Sequence, residues 1–166
     1  MNSESCTTEK ALSDLYDFFS QIHFESCRNC VDCCFQPWFL IEEKANMEAV
    51  FRNDIIEVDS VSMCNSPKCR FSSDGCCAIY KNRPLDCRLF PLDIIEYEGS
   101  YWWAVFKTCT KYSELKQYLI PGIDYIESLI TKGMFAQYER QIEVTKRTYA
   151  PYRDGHYEII REFRRP

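Results

Sequence analysis

Residues 27–34 read CRNCVDCC, which puts Cys27, Cys30, Cys33 and Cys34 into eight positions. Neighbouring cysteines are not easily bridged to each other, and thiols this dense oxidise unless something holds them. The compartment narrows what that something is. The chain starts MNSESCTTEK, without a basic stretch followed by an apolar one, so no secretory leader is expected. No apolar run approaches about 18 residues, so no membrane span is expected either. The expected setting is the reducing cytoplasm, where clustered cysteines read as metal ligands or catalytic groups rather than disulfides. The 11 cysteines are an odd number and cannot all pair within the chain. Only His23 and His156 are present, so a metal here must be held mainly by sulfur.

Thiolate is a soft ligand suited to zinc, copper(I) and iron–sulfur clusters. A Cys-x-x-Cys step lets one turn aim two sulfurs at one centre. Cys27, Cys30 and Cys33 are spaced three apart, like the first three ligands of a bacterial ferredoxin cluster. That spacing favours an iron–sulfur cluster of the [4Fe–4S] type, with zinc as the alternative. A fourth ligand must come from Cys64, Cys69, Cys76, Cys77, Cys87 or Cys109 downstream. Cys34 suits a second centre or another iron, because adjacent side chains diverge. Four thiolates around either centre leave a net charge of about −2. Arg28, Lys68, Arg70, Lys81, Arg83 and Arg88 stand beside the cysteines and can offset it, or can form an ordinary solvated surface.

Leu12, Leu15, Phe19 and Ile22 recur at helical spacing and predict a helix over residues 7–23, started by Thr7 or Thr8. A second short helix is expected over residues 41–51, and a strand over 55–61. Residues 68–80 read as a hairpin turning at Asp74-Gly75. Residues 82–91 are punctuated by Pro84 and Pro91 and stay regular only briefly. A second hairpin follows, from DIIEYEG through a turn at Gly99-Ser100 to YWWAVFK. SELKQYLI is expected to be a helix closed by Pro121-Gly122. A longer one is expected over residues 123–146, weakened or bent by Gly133. Residues 156–166 form an edge strand or hang free.

The pattern C-x-x-C-x-x-C-C at Cys27, Cys30, Cys33 and Cys34 is followed by Cys69, by C-x-I-Y at Cys77-Ala78-Ile79-Tyr80, and by R-P-x-x-C-R-x-F-P from Arg83 to Pro91. In this combination the chain resembles the YkgJ-like cysteine-cluster family, a zinc- or iron-chelating domain. The resemblance spans residues 27–91, with Cys109 as a further match, and implies metal binding through Cys27, Cys30, Cys33, Cys34, Cys69, Cys77, Cys87 and Cys109. Eight cysteines suffice for two four-thiolate sites, and the sequence does not divide them. Cys6, Cys64 and Cys76 match no motif position. The pattern is also similar to that of flagellin lysine N-methylase, which carries an iron–sulfur cluster and transfers methyl groups. No G-x-G-x-x-G or other cofactor signature accompanies the cysteines here.

The expected fold is α+β: a small, irregular, metal-centred domain with two short hairpins between N- and C-terminal helices. One domain is expected over residues 1–166, with a cysteine-cluster core at 24–110, a helical segment at 111–150 and a tail at 151–166. The expected function is cytosolic metal binding. The alternatives are an enzyme that uses the cluster in protein or peptide modification and a zinc-stiffened adaptor for a protein partner. A formal charge of −5 argues against nucleic acid as a partner. Several conspicuous residues have plainer readings. Pro84 sets a turn, and Arg83 and Arg88 tie the loop to carbonyls or carboxylates. One of Trp102 and Trp103 faces the core. His23 is a structural helix-end residue, Glu42 and Glu43 a solvated helix start, and Arg161, Arg164 and Arg165 a solvated tail. A thiol–histidine protease pairing has no local signature.

Overall fold

The computed structural model describes residues 3–22, 35–65, 69–73 and 76–166. Helix α1 (Ser3–Gln21) starts earlier than expected. Thr8 is not its cap. It is buried, with its hydroxyl 3.3 Å from that of Thr131. Leu12, Leu15 and Phe19 form the predicted buried stripe. After β1 (Trp38–Phe39) a single 3₁₀ turn, Ile41–Glu43, leads into α2 (Lys44–Phe51). The strand expected over 55–61 is itself a hairpin, β2 (Ile55–Val58) and β3 (Val61–Cys64). Its turn residues, Asp59 and Ser60, have φ of 49° and 66°. Two consecutive left-handed residues make the tight turn that hairpin twist favours, without the Asn-Gly pair that announces it. β3 is the middle strand of an antiparallel sheet ordered β1-β3-β2.

The cysteine hairpin is present as β4 (Ser72–Ser73) and β5 (Cys76–Cys77), and its Asp74-Gly75 turn lies outside the described residues. Between the two prolines sits a five-residue helix, α3 (Leu85–Leu89). β6 (Leu92–Tyr97) and β7 (Ser100–Phe106) make the next hairpin. Its turn falls on Glu98-Gly99, one residue before the expected pair, with φ of 52° and 78°. β8 (Tyr157–Glu162) lies along the other edge of β7, so the tail is an edge strand. β7 is the buried centre of this sheet: Trp103, Ala104, Val105 and Phe106 are all in the core, while Trp102 is half-exposed.

Helix α4 (Tyr112–Leu129) runs straight through Pro121-Gly122, against expectation. Leu115, Leu119, Ile123 and Ile126 are buried on one face on both sides of the proline, so packing holds the helix together. Pro121 lies on the exposed side, where water can satisfy the carbonyl deprived of its donor. Gly122 serves close approach, since a Cβ there would meet Phe18 Cζ of α1 at 2.6 Å. The break comes later, at Ile130-Thr131. Thr131 accepts the Met134 N–H and caps α5 (Lys132–Thr148). Gly133 then stands in the first turn, not at a bend. The short α6 (Ala150–Arg153) leads into β8.

The fold is therefore α+β, with helices at both ends and antiparallel sheets between them. Among the described residues its packing centre is apolar, built on Leu15, Ile94, Trp103, Phe106, Leu119 and Tyr138. A smaller cluster of Phe39, Met47, Phe51, Cys64 and Cys69 lies under the cysteine hairpin. Among the described residues no helix is long and apolar enough to cross a membrane.

Arg161 is not part of a solvated tail. Buried Glu127 of α4 accepts Trp103 Nε1–H at 3.0 Å, Arg161 at 2.8 Å and the Arg164 N–H at 2.8 Å. Burial alone would raise the Glu127 carboxyl, but these hydrogen bonds outweigh it and hold the pKa below the usual range. Glu127→Ala would leave the Trp103 indole and the Arg164 N–H without their acceptor and take from Arg161 one of its two carboxylates, Asp124 remaining. It is expected to cost about 2–4 kcal/mol, read as a lower urea midpoint at an unchanged slope.

Candidate metal centre

Three segments bring motif cysteines together. The first carries Cys69, buried in the apolar cluster with Phe51 and Cys64. The Phe51 ring packs on Phe39 and Phe71, each with centroids 5.1 Å apart. Arg70, beside Cys69, is engaged with Asp54 at 2.5 Å and the Val50 carbonyl at 3.0 Å. The second segment is β5. Adjacent strand residues point to opposite faces, and so Cys76 is exposed while Cys77 is half-buried.

The third segment is α3, which carries Cys87. Five residues do not make a stable helix alone, and its neighbours hold it. Pro84 occupies the N-cap in extended conformation. The Leu85 N–H donates to Glu43 Oε1 at 2.7 Å, and the same carboxylate accepts Leu40 N–H at 3.0 Å and the Tyr16 hydroxyl. Glu43 is thus 1% exposed and joins three stretches of chain. It is no part of a solvated helix start. Burial raises its pKa against the opposing pull of these donors and of Arg88.

The arginines behave as the plainer reading expects. Arg88 donates to the Arg83 carbonyl at 2.8 Å and to the Lys81 carbonyl, and lies over the Tyr16 ring at 4.3 Å. Arg83 donates to the Tyr80 carbonyl at 3.1 Å and covers the Tyr80 ring at 3.8 Å. Arg83 also acts on the cysteines. Burial pushes the Cys87 thiol well up and the Asp86 charge adds to it, while the Arg83 guanidinium pulls it down. Cys69 and Cys77 lie close enough to raise it further. Three thiols from three segments thus share one electrostatic neighbourhood, beside the guanidinium groups of Arg83 and Arg88. A soft cation is what offsets such crowding, since it binds the thiolates and takes up their charge.

Among the described residues no group of three or more His, Cys, Asp or Glu has the arrangement to hold a metal ion by itself. Cys27, Cys30, Cys33 and Cys34 lie outside the described residues, as do His23, Arg28 and Lys68. Cys109 packs in the main apolar core, in the turn after β7, where its N–H reaches the Phe106 carbonyl at 3.4 Å. Cys64, which matches no motif, is fully buried next to Cys69.

Cys87 also lines a cavity of about 280 Å³, together with Trp38, Asp86, Asp93, Phe106 and Gln141. Burial, and then the charge of Asp93, push the Asp86 carboxyl well up. Burial pushes Asp93 up to about 7, against the Ile94 N–H that donates to it at 2.8 Å. Sequence reasoning missed Glu43, Asp86 and Asp93. For Glu43 the available signal was a Glu three residues past a chain entry at Leu40, half of a capping box. Asp93 starts like any polar residue of a strand, and only the tertiary packing buries it.

The family model described as "CxxCxxCC: Putative zinc- or iron-chelating domain" matches residues 26–118. No curated protein and no solved structure matches the chain.

The Asp93 shift has a pH signature. Its ordinary pKa is 3.8 and its folded value is raised to about 7. Between those values the folded chain holds a proton that the unfolded chain has lost. The stabilising contribution is therefore complete below about pH 4 and disappears as pH rises through about 7. Asp93 keeps some exposed surface, which moderates the size. From pH 5 to pH 8 the wild type should lose on the order of 1–3 kcal/mol relative to Asp93→Asn, measured by urea melts. Parallel pH profiles for the two proteins would refute the assignment.

Proposed function

The chain belongs to the CxxCxxCC family of zinc- or iron-chelating domains, and from that membership we propose that it holds an iron–sulfur cluster of the [4Fe–4S] type. Cys27, Cys30 and Cys33 supply three thiolates, and the fourth comes from Cys69, Cys77 or Cys87. Cys34 and Cys109 serve a second centre or the outer irons. The observation that carries this reading is the shared electrostatic neighbourhood of Cys69, Cys77 and Cys87. The ferredoxin-like spacing of the first three cysteines favours iron–sulfur over zinc. Arg83, tied over Tyr80, offsets part of the negative charge that four thiolates bring. A bound cluster supplies one-electron chemistry, whereas zinc supplies a rigid cross-link or a Lewis acid. The cytosol suits thiols that must stay reduced until the metal arrives.

The cavity that reaches Cys87 favours a second reading, in which the centre works on a bound substrate. That reading makes the protein an enzyme of protein or peptide modification rather than a passive chelator.

Metal and acid-labile sulfide analysis of anaerobically purified protein tests the proposal, together with its visible spectrum. The expected sample is brown, with broad absorbance near about 400 nm and iron matched by sulfide. Colourless protein with stoichiometric zinc would overturn the cluster and keep chelation. Protein without either metal would overturn both. Cys87→Ala should lose most of the bound metal, while Cys76→Ala at the exposed β5 position should keep it.

A further inference from the structure

The cavity beside Cys87 contains polar groups that the described protein leaves unsatisfied. Gln141 on α5 is 5% exposed; its Nε2 donates to Thr145, while its buried Oε1 meets no donor. Trp38, equally buried, has Nε1 without a hydrogen-bond partner. The indole N–H stands beside Asp86 without meeting it in hydrogen-bonding geometry. Asp86 accepts the Trp38 backbone N–H at a long 3.4 Å, and Asp93 accepts that of Ile94. Among the described residues no Lys, Arg or His forms an ion pair with either acid.

A buried polar atom without a partner costs about 1–3 kcal/mol, and native proteins keep few of them. Two at one cavity that also holds two acids without a cation mark a place built for something else. Its chemistry is lopsided. Two carboxyl groups, once a bound cation ionises them, and the Gln141 carbonyl accept, and one indole N–H donates. The remaining walls include Phe90, Phe106 and Tyr149. The complementary ligand brings several N–H donors, a positive charge and an apolar body. A bare metal ion lacks the body, and no group of three or more His, Cys, Asp or Glu among the described residues is arranged to hold one. The volume of about 280 Å³ sits at the small end of ligand pockets, which run from roughly 300 to 1,000 Å³.

We propose that this cavity binds a small protonated aliphatic amine, with its ammonium group between Asp86, Asp93 and the Gln141 carbonyl and its carbon chain against Phe106 and Tyr149. Three acceptors match the three N–H donors of a primary ammonium. Charge-assisted hydrogen bonds in a site with apolar walls are stronger than neutral ones, which gives the amine its advantage over an alcohol of the same shape. The site stands whether the neighbouring centre holds iron–sulfur or zinc.

Titration calorimetry on the metal-retaining protein near neutral pH tests this with n-pentylamine, n-pentanol and pentanoate. The expected result is one saturable site for n-pentylamine, binding at least about tenfold weaker for n-pentanol, and none for pentanoate. Gln141→Leu and Asp93→Asn should each weaken n-pentylamine by about tenfold or more, with metal content and circular dichroism unchanged. Equal binding of amine and alcohol, preference for the carboxylate, or no saturable binding by the wild type would overturn the proposal. So would variants that stay folded and bind n-pentylamine like the wild type. Because metal content is measured on the same samples, loss of the metal reading and loss of the amine site are separately visible.

Discussion

One buried carboxylate holds the parts of this structure in relation to each other. Glu43 stands at the end of a single 3₁₀ turn, with almost no surface in contact with solvent. It receives Tyr16 from the N-terminal helix, Leu40 from its own chain entry and Leu85 from the first turn of α3. The buried Leu40 and Leu85 N–H groups would otherwise lack a partner, at about 1–3 kcal/mol apiece. Tyr16 is held protonated by burial and by the Glu43 charge, so it remains a donor. Its ring in turn supports Arg88, whose guanidinium ties back to the carbonyls before α3. The short helix that carries Cys87 is thus fixed at its start by Glu43 and along its side by Arg88. The position of that sulfur is inherited from residues that carry no metal chemistry of their own.

What the sequence discloses follows from the range of the interactions involved. The cysteine spacing and the R-P-x-x-C-R-x-F-P run are local, and they pointed to the chelating family directly. The stripe of α1 and the alternation of Trp102 and Trp103 are periodic, and both appear where the periodicity put them. Pro121-Gly122 misled because the punctuation rule is local, whereas the helix is held by tertiary contacts. The stripe Leu115, Leu119, Ile123 and Ile126 runs across the proline and was the stronger signal. The Asp59-Ser60 turn was hidden because neither residue is glycine, though both adopt positive φ. Glu43, Glu127, Asp86 and Asp93 look like ordinary surface acids in the sequence, because burial of an acid depends on partners distant in sequence. Glu127, for instance, meets Arg161 only after the chain has made α5 and returned as β8.

The location of the core bears on what a metal does for this chain. The expectation was a fold centred on an inorganic site. The described residues place a broad apolar cluster between α1, α4, α5 and the β6-β7-β8 sheet. Cysteine-poor segments supply nearly all of it. Of the motif cysteines, Cys69 belongs to the smaller cluster around Phe51, and Cys77 and Cys87 are close enough to it in space to share its electrostatics. A zinc finger without its metal has no such core to fall back on. Here the helices and the larger sheet have their own apolar reason to fold, apart from the β4-β5 hairpin that carries Cys77.

That division also explains how one short helix serves two environments. Asp86 and Cys87 are consecutive, and both line the same cavity, yet their surroundings push them towards different partners. Cys87 has two thiols and Arg83 around it, a setting that a soft cation completes. Asp86 has a second carboxyl and an indole edge, a setting that a hard, hydrogen-bonding cation completes. Both groups are raised by burial, so each resists ionising until its own positive charge arrives. Charge placed at one lowers the cost of charge at the other only if it is positive, since Asp86 raises Cys87. A four-thiolate centre beside Cys87 would carry a net charge of about −2 and so attract a cation in the cavity, and a cation there would lower the cost of ionising the thiol. By linkage the two occupancies favour each other, through residues that are neighbours in the chain.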